Sequence, residues 1–393
     1  MRRTFDLKSK LIGCIFIIVA SLCVGRLYFL QIIHGDTYRA RSDAEIFRPN
    51  QVVFDRGAIY FTQKNGNLFT AGTIASGFTL GVNPRLLLEP ETVFQKMSPY
   101  VEVSKEAFFK KMEDKTDPYE VVEKRISDLR GKKIAELNIP GVILQREQWR
   151  VYPADSVGAH VLGFAGYSES GIEGRYGLER YYNDNLKRNG IAPVSNFFVE
   201  VFSDAAKLRE GGNELEGDIV TSIEPSVQAM LESEIKKVQL EFGSKETGGI
   251  VMDPVSGEIY AMASYPTFNP NKYGEETNIS VFSNPLTESM YEMGSIVKPL
   301  TMAVGIDTGF FSASTTYKDE GFLKVGNRTI YNFDKKGRGV VPMQEVLSQS
   351  LNTGVATVAL KVGKKKFDQY ITAFGLGEET GIDLPSEAGG LLR

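Results

Sequence analysis

The sequence predicts an α+β fold: an N-terminal transmembrane helix, a mixed α/β scaffold, and a second region in which helices pack on antiparallel strands. Three observations predict it. A basic N-terminus runs into a long apolar segment. Short strand-like stretches are punctuated by turns at Asn65-Gly66 and Asp253-Pro254. A run headed by Pro225 carries apolar residues at helical spacing.

Residues 1–10, with Arg2, Arg3, Lys8 and Lys10, form a basic cytoplasmic tail. From Leu11 to Ile33 the chain offers 23 residues interrupted by Arg26, enough to cross a bilayer with some tilt. Arg26 can snorkel to the interface, where Tyr28 is also suited. The positive flank stays inside, so the expected location is the cell (inner) membrane, single-pass, with the body extracytoplasmic. Leu11 to Gly25 also has the length of a signal-peptide core, but no small-x-small cleavage site follows it, which favours an uncleaved anchor.

Cys14 and Cys23 both lie in that segment, so no disulfide framework is available to the body. His34 and His160 are the only histidines and stand far apart. They support neither a structural zinc site nor a histidine-dependent serine triad, and His160 reads as a packed structural residue. No metal and no cofactor are expected. A net charge of -4 and the lack of a basic stripe interleaved with aromatics argue against nucleic acid. Lys364, Lys365 and Lys366 read as a solvated helix end.

Residues 34–214 read as scaffold. Asp36 to Arg48 suggests a polar helical stalk, Gln51 to Phe54 an extended stretch, and Ile59-Tyr60-Phe61 with Leu68-Phe69 a hairpin across Lys64 to Asn67. Residues 88–137 are charged and mainly helical in pattern. Between Pro140 and Leu186 the glycines suit turns or close backbone contacts. Gly211-Gly212-Asn213 is a linker, which puts a boundary near residue 215. In 215–393, Asp218 to Ile223 alternates as a strand and a helix begins near Pro225. Ile250 to Met252 and Glu258 to Ala263 form an antiparallel hairpin.

Two motifs in this second region carry chemistry. Ser295-Ile296-Val297-Lys298 is a Ser-x-x-Lys tetrad, and 55 residues later Ser350-Leu351-Asn352 is the one Ser-x-Asn. A matching decoy, Ser233 to Lys236, lies in a charged helical run and reads as a solvated face. Ser295 differs because Gly294 precedes it and Pro299 follows Lys298, and proline is tolerated only in a helix's first turn. Ser295 is therefore expected at a helix start, with Lys298 on the same face. The helix dipole there favours a developing alkoxide, and a partly buried Lys298 is the candidate base. Alone, the tetrad reads equally as an ordinary N-cap followed by a snorkelling lysine.

The motifs together resemble the class B penicillin-binding proteins, the monofunctional transpeptidases that cross-link bacterial peptidoglycan. Arg56-Gly57 with Asn65-Gly66, Arg150 to Pro153, His160, Gly163 and Gly177 to Glu179 look like that family's pedestal motifs. Glu292 to Ser295 resembles the Glu-Pro-Gly-Ser approach to the nucleophile, and Thr380 to Pro385 with Glu387 resembles the segment after Ser-x-Asn.

The resemblance implies an elongated pedestal followed by a serine β-lactamase-like transpeptidase domain. It implies that Ser295 attacks the penultimate D-alanyl carbonyl of a stem peptide ending in D-Ala-D-Ala, with Lys298 taking its proton. Ser350 would relay a proton to the leaving D-alanine, and Asn352 would hold substrate and Lys298. The cross-linking would serve cell-wall synthesis in elongation, division or sporulation, and β-lactams would acylate the same serine. The implied partners are the bilayer and a polytopic membrane glycosyltransferase.

Phe61 to Lys64 departs from the family's short Asp-Arg before Asn-Gly. The third motif, Lys-Thr/Ser-Gly, is not present up to Arg393, so the sequence is expected to be a fragment of a longer product or a truncated gene, with only the N-terminal portion of the second domain. The alternatives are a truncated anchor and pedestal protein that binds the glycosyltransferase without catalysis, and a β-lactam sensor or β-lactamase.

Overall fold

The computed structural model describes residues 25–26, 56–168, 171–187 and 217–390. The expected anchor (Gly25 and Arg26 apart), the stalk, the extended Gln51 to Phe54 and the linker at Gly211 lie outside the described residues. Among the described residues no helix is long and apolar enough to cross a membrane.

Strands β1 (Ile59–Thr62) and β2 (Leu68–Val82) form the expected antiparallel hairpin. Gly66 turns it at φ 83°, a left-handed value that glycine adopts without strain, and Asn65 Oδ1 accepts from Asn67 N at 3.0 Å. β2 runs far past Phe69. It pairs antiparallel with β3 (Glu120–Ser127) and β4 (Val142–Val151), and its alternation is blurred because both faces are covered.

Residues 88–137 do contain helices, α1 (Pro90–Met97), α2 (Lys105–Lys111) and α3 (Asp128–Glu136), but β3 interrupts them. Only Val122 and Ile126 of β3 are buried, and its charged neighbours obscure the period in sequence. Leu80, Met97, Phe108, Ile126 and Ile134, each no more than 1% exposed, fill the core between these helices and the sheet. Each such side chain contributes about 1.5–3 kcal/mol by burial.

Short helices α4 (Ala159–Leu162), α5 (Gly177–Tyr181) and α6 (Asn183–Leu186) flank a hairpin, β5 (Ala165–Ser168) and β6 (Gly171–Gly174). Gly163 and Gly177 meet backbone to backbone. A Cβ on Gly163 would stand 1.9 Å from Tyr176 O, and one on Gly177 would stand 2.4 Å from Gly163 N. Beneath them the segments beginning at Arg56, Arg150 and Gly177 converge on one buried carboxylate. Glu179 Oε2 accepts from Arg56 Nε at 2.6 Å, and Oε1 from Arg150 Nε at 2.6 Å and Tyr152 OH at 3.2 Å.

The alternation from Asp218 to Ile223 yields only the two-residue β7 (Ile219–Val220), which joins β1 in parallel and so extends the first sheet. Beyond Val220, Thr62 N still reaches Ile223 O at 2.9 Å, but the ladder is lost. Helix α7 (Pro225–Phe242) then packs on the hairpin β8 (Thr247–Met252) and β9 (Ile259–Tyr265). Ser233 and Lys236 sit exposed on α7, as a solvated helix face requires. One apolar core, with Ile59, Phe61, Leu162 and Phe164 packed among Met262, Phe268, Phe282 and Leu384, runs across residue 215.

His160 is buried in that core, edge-on to Phe268, with Nε2 3.0 Å from Val281 O and Nδ1 3.1 Å from Ser264 Oγ. Burial drives its pKa down to about 4, although the Val281 carbonyl partly opposes this. The folded value lies below the unfolded one, so this contribution to stability is present above the ordinary histidine range and is lost as pH falls from about 6.5 towards 4. The loss amounts to roughly 3 kcal/mol. Urea midpoints measured across that window should fall in the parent protein and fall less in His160→Gln; parallel slopes would exclude His160 as the cause.

Past α8 (Pro285–Glu288) and a 3₁₀ turn (Gly294–Val297), helix α9 (Lys298–Asp307) leads to four short strands, β10 (Thr316–Asp319), β11 (Phe322–Val325), β12 (Arg328–Tyr331) and β13 (Gly339–Pro342). β10 pairs with β13 and β11 with β12. Helices α10 (Gln344–Ser348), α11 (Asn352–Val362) and α12 (Lys364–Ala373) follow. Lys364, Lys365 and Lys366 are exposed at the start of α12. Met302, Val304, Val346 and Val358 lock α9, α10 and α11 together.

Candidate active site

The structure brings the two motifs to the adjoining ends of α9 and α11. Gly294 takes φ 61° and swings the chain into the 3₁₀ turn carrying Ser295, and Pro299 lies in the first turn of α9. Ser295 therefore stands one short turn ahead of α9, exposed, while Lys298 at the head of that helix is only 8% exposed. On the other side α10 ends and Ser350 adopts φ 54°, a left-handed value rare outside glycine. Strain of this kind persists only where its surroundings impose it. Ser350 N donates to Leu347 O at 3.2 Å and Leu351 N to Val346 O at 2.9 Å, after which α11 begins at Asn352.

The Lys298 ammonium spends its three protons on this second motif. Nζ donates to Ser350 O at 2.6 Å, Ser350 Oγ at 2.9 Å and Asn352 Oδ1 at 2.7 Å. Ser350 Oγ in turn donates to Ser295 Oγ at 3.0 Å. Among the hydrogen bonds of the described residues, the path from Ser295 to Lys298, the candidate base, runs through the Ser350 hydroxyl. Burial lowers the Lys298 pKa below the ordinary lysine range. Among the described residues, no carboxylate bonds Nζ to reverse that.

Asn352 bridges the site, accepting from Lys298 through Oδ1 and donating through Nδ2 to Tyr331 O at 2.8 Å. The sequence had no signal for Tyr331, because the group used is a backbone carbonyl at the end of β12. Arrays of this sort activate a hydroxyl nucleophile by passing its proton to a nearby amine of depressed pKa.

Comparison with known proteins agrees along the chain. Residues 53–194 match the penicillin-binding protein dimerisation domain model and residues 247–393 the penicillin-binding protein transpeptidase domain model. The stage V sporulation protein D of Bacillus subtilis is 28% identical over 98% of this chain. A probable peptidoglycan D,D-transpeptidase FtsI of Caulobacter vibrioides is 34% identical over 65% of it. The chain spans 59% of the first relative's length and 39% of the second's. The crystal structure of penicillin-binding protein 2X from Streptococcus thermophilus superposes with a TM-score of 0.64 at 20% identity, covering 86% of this chain and 54% of that one, and so shares its mixed α/β transpeptidase fold. Two domain models of one kind of protein, one of them spanning the serine, the lysine and the Ser-x-Asn turn in hydrogen-bonded register and the other lying ahead of it, lead to one assignment: the chain belongs to the class B penicillin-binding proteins.

Proposed function

We propose that the protein is a peptidoglycan D,D-transpeptidase that cross-links stem peptides through an acyl-enzyme on Ser295. The observation that carries this reading is the unbroken series Ser295 Oγ, Ser350 Oγ, Lys298 Nζ at 3.0 and 2.9 Å. With Lys298 neutral, the two hydroxyls reverse their donor roles, as hydroxyl rotors can. The Ser295 proton then passes to Ser350 Oγ while the Ser350 proton passes to Lys298 Nζ. Ser295 Oγ bonds to the penultimate D-alanyl carbonyl carbon, the C–N bond to the terminal D-alanine breaks, and the leaving amine takes a proton back through Ser350. An amine from a second stem then attacks the ester carbonyl carbon, the bond from that carbon to Ser295 Oγ breaks as the cross-link forms, and the proton shed by the amine ends on Ser295 Oγ. The Ser295 N–H, at the start of its 3₁₀ turn, is suited to stabilise the oxyanion.

A β-lactam offers the same carbonyl, but its leaving nitrogen stays tethered, so the acyl-enzyme should persist. The reading extends to an anchor at Leu11 to Ile33 holding the body outside the inner membrane, and to a polytopic membrane glycosyltransferase as partner. The basic tail and the apolar run support the first, and the family resemblance supports the second. The test is to label the full-length protein in membranes with a fluorescent penicillin and map the adduct by peptide mass. The label is expected on the peptide containing Ser295; an adduct elsewhere, or none, sinks the proposal.

A further inference from the structure

Behind the Ser350 turn lies a buried polar cluster that has no part in the proton path. Asp319, at the end of β10, is 2% exposed, and among the described residues no side-chain cation bonds its carboxylate. Instead it accepts five hydrogen bonds. Oδ1 takes Gly321 N at 3.0 Å, Asn332 Nδ2 at 3.0 Å and Thr353 Oγ1 at 2.8 Å, and Oδ2 takes Asn332 Nδ2 at 2.9 Å and Arg338 N at 3.0 Å. Asn332, 3% exposed, accepts through Oδ1 from Thr353 N at 3.3 Å and Thr353 Oγ1 at 3.2 Å. Thr353 follows Asn352 directly, and Asn332 follows Tyr331, whose carbonyl holds Asn352 Nδ2. A desolvated carboxylate is costly unless its bonds are complete, so a site built this way is rigid or unstable, with little between.

We propose that Asp319 and Asn332 are positioning residues for Ser350 and Asn352, clamping the first turn of α11 to the end of β12 through Thr353. Asn332 caps the free N–H of Thr353, Asp319 holds the Thr353 hydroxyl, and both tie the β11–β12 hairpin to that turn. The left-handed Ser350 and the Asn352 amide, which between them supply all three acceptors of Lys298, are thereby kept in register with Ser295. Displacing a reacting group by about 1 Å costs on the order of 100-fold in rate, so the clamp acts on chemistry that it does not touch.

This inference rests on the proposed transpeptidase reading. The experiment measures the second-order rate of acylation by a fluorescent penicillin, as a function of pH, for full-length parent protein, Thr353→Val, Thr353→Ser and Asp319→Asn, with unfolding midpoints in parallel. Thr353→Val keeps the shape of the side chain and removes the hydroxyl; Thr353→Ser keeps the hydroxyl. The expected result is a loss of roughly 10- to 100-fold in Thr353→Val and Asp319→Asn, a displaced acid limb of the pH profile, and recovery in Thr353→Ser. If the parent labels at Ser295 while Thr353→Val labels as fast with an unmoved profile, the clamp is structural only and the inference falls alone. If Asp319→Asn does not fold, Thr353→Val decides. A parent that takes no label at Ser295 overturns the transpeptidase reading, and the inference with it.

Discussion

Lys298→Arg is expected to slow acylation by a labelled penicillin by roughly 10⁴- to 10⁶-fold, the range seen when the base that serves a serine nucleophile is removed. The variant keeps a cation and several donors next to Ser350 and Asn352. What it loses is the capacity to be neutral, since a guanidinium does not deprotonate in proteins. If Lys298 acted only as an electrostatic anchor, arginine would preserve much of the rate. Ser295→Ala should abolish the adduct outright. In the parent, acylation should rise with pH through the Lys298 pKa, because the neutral amine is the active form, and burial sets that limb below the ordinary lysine range. Stopped-flow acylation over a pH series that rises to the ordinary lysine range reads both effects; an arginine variant within tenfold of the parent would show that Lys298 is not the base.

Glu179→Ala is the second large effect, expected in folding rather than in chemistry. Glu179 is 0% exposed, with Arg56 at 3% and Arg150 at 5%. Burial pushes the Glu179 carboxyl up, yet the Arg150 and Arg56 guanidinia outweigh it and hold the pKa below the usual carboxylate range. The folded pKa is depressed, so this stabilisation is present above the unfolded carboxylate value and is lost as pH falls through the folded one. Removing the carboxylate strands two buried guanidinium groups. Breaking one buried pair costs about 3–5 kcal/mol, a large share of the 5–15 kcal/mol that holds a typical domain. Glu179→Ala should therefore accumulate as insoluble protein or unfold at a much lower urea concentration. Glu179→Gln, which keeps the shape and some hydrogen bonds, should lose less. An alanine variant with the parent's midpoint would show that the three groups contribute little.

The local steps of this structure were written in the chain. Asn65-Gly66 dictates a hairpin turn because glycine accepts a positive φ at no steric cost, and Pro225 and Pro299 mark helix starts because a proline ring fits only a first turn. Ser295, Lys298, Ser350 and Asn352 were identifiable because each motif is a short pattern of near neighbours at the start of one helix. β3 was not, since Glu120 to Ser127 carries charges on a strand whose order comes from pairing with β2 rather than from its own periodicity. β7 ends after Val220 although β1 continues to Thr62, because only Ile59 and Tyr60 pair with it.

Which atom meets which was a tertiary decision. The sequence by itself picked out Ser295 as the candidate nucleophile, Lys298 as the candidate base, the Ser-x-Asn turn and the residues Arg56, Arg150 and Glu179. Only the fold decided that Ser350 stands between Ser295 and Lys298, that Glu179 joins Arg56 across 123 residues, and that Asp319 lies beneath Thr353. Local pattern reports backbone sterics and the period of one element. Contacts between elements depend on how their buried faces pack and on desolvated polar groups finding every partner they need, which the spacing of residues along a chain does not encode.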